Sequence, residues 1–148
     1  MSVRIQPEPF DPGAELNRFS DAAGDVGAVV SFTGRVRDVA EGLKVMEIEH
    51  YPAMTAPAIE SMVTEAQSRW TLADVLVIHR FGPLEAGDTI MMVATASRHR
   101  ADAFAAADFL MDYLKSRAPF WKKEVTGQGA AWVDSKAEDE DALTRWQR

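Results

Sequence analysis

The sequence contains no cysteine among its 148 residues. Disulfide bonds, thiolate metal sites and a cysteine nucleophile or persulfide carrier are therefore excluded, and any sulfur the protein handles must arrive on another molecule. Long hydrophobic runs are also missing, since the strongest apolar stretch, residues 89–96, is far too short to cross a bilayer. The first residues lack the apolar segment of a signal peptide, which predicts a cytoplasmic protein.

Metal-ligand and nucleotide-binding motifs are absent as well. The three histidines, His50, His79 and His99, show no ligand spacing, so we predict no metal site. Glycine-rich phosphate loops, dinucleotide-binding fingerprints and the nucleophile-elbow motif do not occur, and we predict no cofactor.

Acidic residues outnumber basic ones, but the two kinds of charge are unevenly distributed along the chain. The formal net charge of −7 argues against a general nucleic-acid binder. Basic residues are nevertheless concentrated within residues 98–123, namely Arg98, His99, Arg100, Lys115, Arg117, Lys122 and Lys123. Such a cluster on an acidic protein indicates a discrete anion site, although an ordinary solvated surface is the alternative.

Strand and helix patterns alternate irregularly along the chain. Strands are predicted at residues 3–5, 27–37, 44–51, 75–81, 89–96, 120–126 and 131–134. Helices are predicted from Asp11-Pro12 to Phe19, from a cap at Thr55 with Pro57 in the first turn, and from Arg100 to Arg117. Turns are expected at Gly82-Pro83, which should end a strand, and at residues 85–88. The acidic tail after residue 134 is expected to form a short helix.

This order of elements predicts an α+β fold with a mostly antiparallel sheet and about three helices. The hydrophobic fraction of 47% is sufficient for a core without covalent cross-links. We predict one domain over residues 1–148, with an acidic tail at about 135–148.

Four basic residues suggest anion binding, each with an alternative role. Arg35 and Arg37 lie two residues apart on a predicted strand, so their side chains should share a face. Two such arginines can bind a phosphate or carboxylate through paired hydrogen bonds. The alternative is that they protect the edge of a sheet. His99 and Arg100 stand where the third helix begins, which favours anions through the helix dipole. Capping of the helix by ordinary surface residues is the alternative.

Two lysines stand near the end of the third helix and the start of the next strand. Lys115 lies in the last helical turn, where a cation is favourable for the helix dipole alone. Lys122 follows Phe120 and Trp121, and flanking aromatics can exclude water and make an amine more reactive. The alternative is that the aromatics are core residues with the lysines outside.

Five segments, in order along residues 27–133, resemble the molybdopterin synthase catalytic (large) subunit family. They are Phe32-Thr-Gly-Arg-Val-Arg37, His50-Tyr-Pro-Ala-Met54, Val77-Ile-His-Arg80, Ser97-Arg-His-Arg100, and Met111-Asp-Tyr-Leu-Lys through Phe120-Trp-Lys-Lys-Glu124. The last of these is long and the most specific.

The resemblance implies an α/β hammerhead fold and a sulfur-transfer enzyme. Members convert cyclic pyranopterin monophosphate to molybdopterin, in molybdenum cofactor biosynthesis. The sulfur comes from the C-terminal Gly-Gly thiocarboxylate of a small ubiquitin-like subunit. The assembly implied is a heterotetramer with a central homodimer of large subunits.

The resemblance also implies roles for particular residues. Lys115 and Lys122 match the essential lysines. Arg37, His99 and Arg100 match anion-binding positions, with Arg35 and Lys123 nearby, and Phe32 and Met111 match positions that line the pocket. Lys136 is expected to be a further basic residue of the same pocket, outside any firm motif.

Two other functions remain open from the residues alone. A non-catalytic scaffold that binds a ubiquitin-like partner would not need both lysines together with Arg37, His99 and Arg100. A phosphate-ester enzyme would usually need clustered acidic or histidine metal ligands, which the sequence does not show.

Overall fold

A computed structural model describes residues 1–40, 42–134 and 137–147. It contains α-helices at α1 (Pro12–Ala22), α2 (Pro52–Arg69), α3 (Arg100–Ser116) and α4 (Ala137–Ala142), followed by a 3-10 helix at Leu143–Trp146. Its strands are β1 (Ser2–Gln6), β2 (Ala28–Arg35), β3 (Leu43–His50), β4 (Asp74–Arg80), β5 (Gly82–Leu84), β6 (Thr89–Ser97), β7 (Phe120–Thr126) and β8 (Gly129–Trp132). No helix in these described ranges is long and apolar enough to cross a membrane, and the cytoplasmic location stays a prediction.

The strands form two four-stranded sheets rather than the single sheet expected from the sequence. Sheet A has the order β1-β4-β6-β2, and sheet B has the order β5-β3-β7-β8. Only β1 and β4 pair in parallel among the described strands, so the α+β class with mostly antiparallel pairing is confirmed. The extent of the domain over residues 1–148 stays a prediction.

Sheet A is covered on both faces, which explains why β4 and β6 are apolar almost throughout. One face packs against α1 through a cluster that includes Phe19, Ile78 and Met92. The other face packs against α2 and α3 through the larger cluster, which includes Ile59, Val63, Val77, Val93, Phe109 and Leu110 and extends to Ile48 and Leu84 of sheet B. The main core therefore lies between sheet A, the two long helices and sheet B.

One local prediction was wrong, and one short strand was not predicted. Helix α2 begins at Pro52, three residues before Thr55, because proline is favourable at the first helical position. Thr55 is a buried helical residue whose hydroxyl donates to the Tyr51 carbonyl at 2.7 Å, and Pro57 lies inside the helix. Strand β4 ends at Arg80, just before Gly82-Pro83 as the sequence predicts, but Gly82-Pro83 also begins β5, a short edge strand where proline is tolerated and which the sequence did not predict.

The other boundaries agree closely with the sequence. The Asp11 carboxylate accepts hydrogen bonds from Gly13 and Ala14 and caps α1, with Pro12 in the first turn. Helix α3 ends before Pro119, and the tail forms α4 and the 3-10 helix. The fourth helix is this tail helix, which brings the count above the three main helices expected.

A close backbone approach beside α3 generates a stability prediction. Gly27 donates to the Ser97 carbonyl at 3.1 Å, and a Cβ atom at Gly27 would lie 2.4 Å from the Arg98 carbonyl oxygen. Gly27→Ala should therefore lower the free energy of unfolding by roughly 1–3 kcal/mol, since the backbone must move apart. Urea unfolding measures this. Gly127→Ala is the matched control, because a Cβ there meets nothing within 4 Å, and equal stability of the two variants would contradict the prediction.

Candidate active site

Helix α3 carries predicted site residues at both of its ends. His99 is the residue before the first turn, in extended conformation, and its side chain makes no capping hydrogen bond. Arg100 opens the helix and is exposed, and Lys115 is exposed in the last turn. The helix is continuous over 17 residues, so at ~1.5 Å per residue the Arg100 and Lys115 backbones lie roughly 22 Å apart. Within one chain, the structure does not bring these two ends together.

The start of α3 presents backbone N–H groups beside basic side chains. The His99 N–H reaches the Ser97 hydroxyl at 3.4 Å, and that hydroxyl itself donates to the Thr71 carbonyl. The first helical N–H groups receive no side-chain cap from His99. Together with the helix dipole and Arg100, they form a favourable position for an anion.

Strand β7 places Lys122 on its inner face. Lys122 is paired in register with Ile48, which is fully buried, and shares this face with Phe120. The Phe120 ring stacks on the His79 imidazole with 3.7 Å between ring centroids and 14° between planes. This stack joins β4 of sheet A to β7 of sheet B, and Lys122 follows two residues after it.

His79 is a buried, neutral base close to Lys122. Its Nδ1 lies 2.7 Å from the Arg80 carbonyl, which can only accept, so Nδ1 carries the proton and Nε2 is the acceptor. Burial lowers the pKa of His79 to about 4, and the nearby charges of Lys122 and His50 act in the same direction. The sequence alone suggested a structural histidine; its stacking beside Lys122 depends on the meeting of two sheets.

His50 is held in the same cluster by a defined hydrogen bond. Its Nδ1 lies 3.0 Å from the Thr55 hydroxyl, whose own proton is donated to Tyr51, so His50 is the donor. The imidazole also contacts the Phe81 ring at 4.3 Å between centroids. Three nitrogen bases, His50, His79 and Lys122, therefore surround the start of β7. Among the described residues, no three histidines or carboxylates group as they would around a metal ion.

Lys123 lies on the opposite face of β7 from Lys122. Its amine is 3.5 Å from the Glu47 carboxylate and 5.2 Å from the centroid of the Trp132 ring. Trp121 shares this outer face and is half exposed. Of the two aromatics that precede Lys122, Phe120 thus shares its face of β7 and Trp121 lies on the opposite face, and Lys123 and Lys122 are not brought together.

Arg35 and Arg37 are both exposed, with buried Val36 between them. Strand β2 ends at Arg35 after a register shift at Gly34, and the Arg35 guanidinium donates to the Gly87 carbonyl at 3.0 Å. Arg35 is thereby tied to the turn before β6, whereas Arg37 lies beyond the strand with its side chain exposed.

The remaining predicted residues lie in different environments. Phe32 is 42% exposed on edge strand β2. Met111 lies one helical turn before Lys115, partly buried against the main core. Lys136 lies outside the described residues.

These elements define an α+β protein with a basic, histidine-containing candidate site and no thiol. The MoaE protein family model matches residues 5–117, which is most of the chain. The chain belongs to the MoaE family. The molybdopterin synthase catalytic subunit of Cereibacter sphaeroides is 62% identical over 146 residues, covering 99% of this chain and all of that protein.

One solved structure gives the same family, and a second has the same fold. The molybdopterin biosynthesis MoaE protein from Burkholderia ambifaria matches with a TM-score of 0.85 and 47% identity, covering 99% of this chain and 98% of that one. A complex of subunits 1 and 2 of molybdopterin-converting factor from Helicobacter pylori matches with a TM-score of 0.79 over 90% of this chain and 91% of that one. At 18% identity, this second likeness shows the fold alone.

The buried state of His79 predicts a specific dependence of stability on pH. The pKa of His79 is about 4 when folded and about 6.5 when unfolded, so the unfolded chain binds a proton more readily between these values. As the pH falls from 6.5 towards 4, this histidine should lower stability by up to ~1.4 kcal/mol per pH unit. His79→Phe keeps an aromatic ring and should remove that component of the slope.

Urea unfolding at several pH values between 4 and 7 measures the slope. His99→Gln is the control, because it removes an exposed histidine that lies outside the buried stack of His79 on Phe120. An identical slope for wild type and His79→Phe would show that His79 is not held neutral by burial.

Proposed function

We propose that this chain is the catalytic subunit of a molybdopterin synthase, which transfers two sulfur atoms to cyclic pyranopterin monophosphate to form molybdopterin. The observation that carries the proposal is full-length similarity to proteins of that name, combined with lysines at both expected positions, Lys115 and Lys122. The chain has no cysteine, which fits an enzyme whose sulfur arrives on a partner.

The sulfur donor proposed is the C-terminal thiocarboxylate of a small ubiquitin-like subunit. A relative that is 62% identical to this chain is named a catalytic subunit, which supports a partner subunit for this chain. Its Gly-Gly tail would enter in extended form, since a strand-like tail binds largely through backbone hydrogen bonds. No thiol relay on this chain is then required.

The basic residues have separate roles in this proposal. Arg37, His99 and Arg100 hold the substrate phosphate through charge-assisted hydrogen bonds, with Arg35 nearby. Phe32 and Met111 contact the pterin. Lys123, on the outer face of β7 beside Glu47, contributes positive potential rather than direct contact.

The lysines act on the reacting groups. The thiocarboxylate sulfur forms a bond to a substrate carbon as a carbon–oxygen bond at that carbon breaks, and the departing oxygen takes up a proton. Water then attacks the acyl carbon and the acyl carbon–sulfur bond breaks, which leaves the sulfur on the substrate and restores the partner's carboxylate. Negative charge develops on the acyl oxygen during this attack, and an ammonium group at Lys115 or Lys122 stabilises it. The buried side of β7 gives Lys122 a surrounding of low polarity, where such stabilisation is stronger.

The site is proposed to be shared between two copies of the chain. The ends of α3 lie roughly 22 Å apart, and the described helix has no break that would shorten this distance. One small substrate cannot contact Arg100 and Lys115 of the same chain easily. In a two-fold homodimer, the start of one α3 can lie beside the end of the other, so that each pocket combines Lys115 and Lys122 with the second chain's His99 and Arg100.

Replacement of Lys115 tests the proposed activity. Lys115→Ala should lower the rate of molybdopterin formation by roughly 10²-fold or more, because the charge that stabilises the acyl intermediate is lost. The assay mixes the purified variant with thiocarboxylated small subunit and cyclic pyranopterin monophosphate. Lys44→Ala, which removes an exposed lysine from β3, is the control and should keep the wild-type rate. Near-normal turnover by folded Lys115→Ala would refute the role of Lys115.

Complementation tests the shared site. Lys115→Ala and Arg100→Ala chains, each inactive alone, should recover roughly a quarter of wild-type activity after random subunit exchange, since each mixed dimer holds one intact pocket. Native mass spectrometry verifies the mixed dimers. If those dimers form and activity does not return, all these residues belong to a site within one chain.

A further inference from the structure

The C-terminal tail binds one carboxylate on α3. Arg145 donates to Asp112 Oδ2 through Nε at 3.0 Å and Nη2 at 2.5 Å, and the Trp146 indole N–H donates to the same oxygen at 2.6 Å. Arg145 also lies 2.9 Å from the Asp108 carboxylate, one turn earlier on the helix. The Asp112 side chain is only 16% exposed, so the tail encloses most of it.

Asp112 and Asp108 share a helical stripe with Lys115. Asp112 precedes Lys115 by three residues, the spacing at which an acidic and a basic side chain on a helix normally pair. In the described parts of the chain, Lys115 nevertheless makes no ion pair, and both aspartates are bound by Arg145. The tail therefore occupies the carboxylates that the helix would otherwise offer to this lysine.

The tail is firmly attached around this contact. Leu143 is 1% exposed, and the Trp146 ring packs edge-on against Phe109 and Trp70 at about 5.5 Å between centroids. The Ser116 hydroxyl donates to the Asp139 carbonyl at 2.9 Å, and Arg117 pairs with Glu140. The hydrogen bonds to Asp112, with a smaller contribution from Asp108, raise the pKa of the Arg145 guanidinium. Residues on both sides of Lys115 are thus held by the tail.

We propose that Arg145 and Trp146 are positioning residues that bind the Asp112 carboxylate and so prevent it from pairing with the Lys115 amine. This inference rests on the proposed function, in which Lys115 acts on the thiocarboxylate. An ammonium paired with a carboxylate of its own helix is held away from a substrate, and it reacts slowly with an acetylating reagent, which needs the free amine. The acidic tail thereby contributes to the reaction without contacting the substrate.

The first measurement is the reactivity of Lys115 without turnover. A limiting amount of an amine-acetylating reagent labels the purified full-length chain, and peptide mass spectrometry follows Lys115. Arg145→Gln and Trp146→Phe should each slow this labelling by roughly two- to tenfold, as the released carboxylate pairs with the lysine. In the reconstituted assay, kcat should fall by a similar factor with little change in KM. Arg18→Gln, which removes an ion-paired arginine from α1, is the control and should change neither.

The second measurement is rescue by removal of the carboxylate. Adding Asp112→Asn to Arg145→Gln leaves no charged partner three residues before Lys115. Labelling and kcat should then return to within about twofold of wild type. If the tail served only to support the fold, the double variant would be no better than the single one.

The proposal is overturned if Lys115 is labelled at the wild-type rate in both single variants, or if the double variant does not recover. Trp146→Phe removes the indole N–H but keeps an aromatic ring against Phe109 and Trp70, so the labelling rate can still be measured if Arg145→Gln folds poorly. An active Lys115→Ala chain would instead refute the proposed role of Lys115 in the reaction. The labelling experiment tests the effect of the tail on Lys115 separately, because labelling requires no catalysis.

Discussion

The packing of α3 against sheet A is the constraint on which the rest of the structure depends. The helix buries alanines at 103, 106 and 107 and Leu110 against the sheet, and these small side chains permit a close approach. The buried Thr95 hydroxyl donates to the Ala103 carbonyl at 2.7 Å, which links β6 to the helix directly. A helix held along this length cannot bend to bring its ends together. The separation of Arg100 from Lys115 follows from the core itself, and so does the need for a second chain in the proposed pocket.

The meeting of the two sheets provides the other half of the proposed site. His79 and Phe120 stack across the junction, and the alternation of β7 then places Lys122 inside and Lys123 outside. One strand therefore separates two adjacent lysines into different environments. In the proposed function, this chain of net charge −7 has a local positive site for an anionic substrate. The C-terminal tail pairs with the aspartates nearest Lys115.

The sequence predicted the helix ends and strands that depend on residues close together in the chain. The cap at Asp11, the end of α3 before Pro119 and the strands β4, β6 and β7 follow from capping, proline geometry and periodicity. The start of α2 was predicted wrongly, because the helix begins at Pro52 and not after a cap at Thr55. The edge strand at Gly82-Pro83 and the division into two sheets depend on long-range pairing, which no local pattern contains. The same limit applies to the site: the motifs identified Lys115 and Lys122, but the stack of His79 on Phe120 and the hold of Arg145 on Asp112 join residues more than 30 positions apart.

The most direct test of the central claim is the stoichiometry of sulfur transfer by the wild-type chain. Purified chain is mixed with thiocarboxylated small subunit and cyclic pyranopterin monophosphate, and mass spectrometry counts the small subunit converted to carboxylate for each molybdopterin formed. A sulfur transferase that builds a dithiolene consumes two thiocarboxylates per product. Failure to form molybdopterin in a verified complex of the two proteins, or loss of thiocarboxylate without product, would contradict the account.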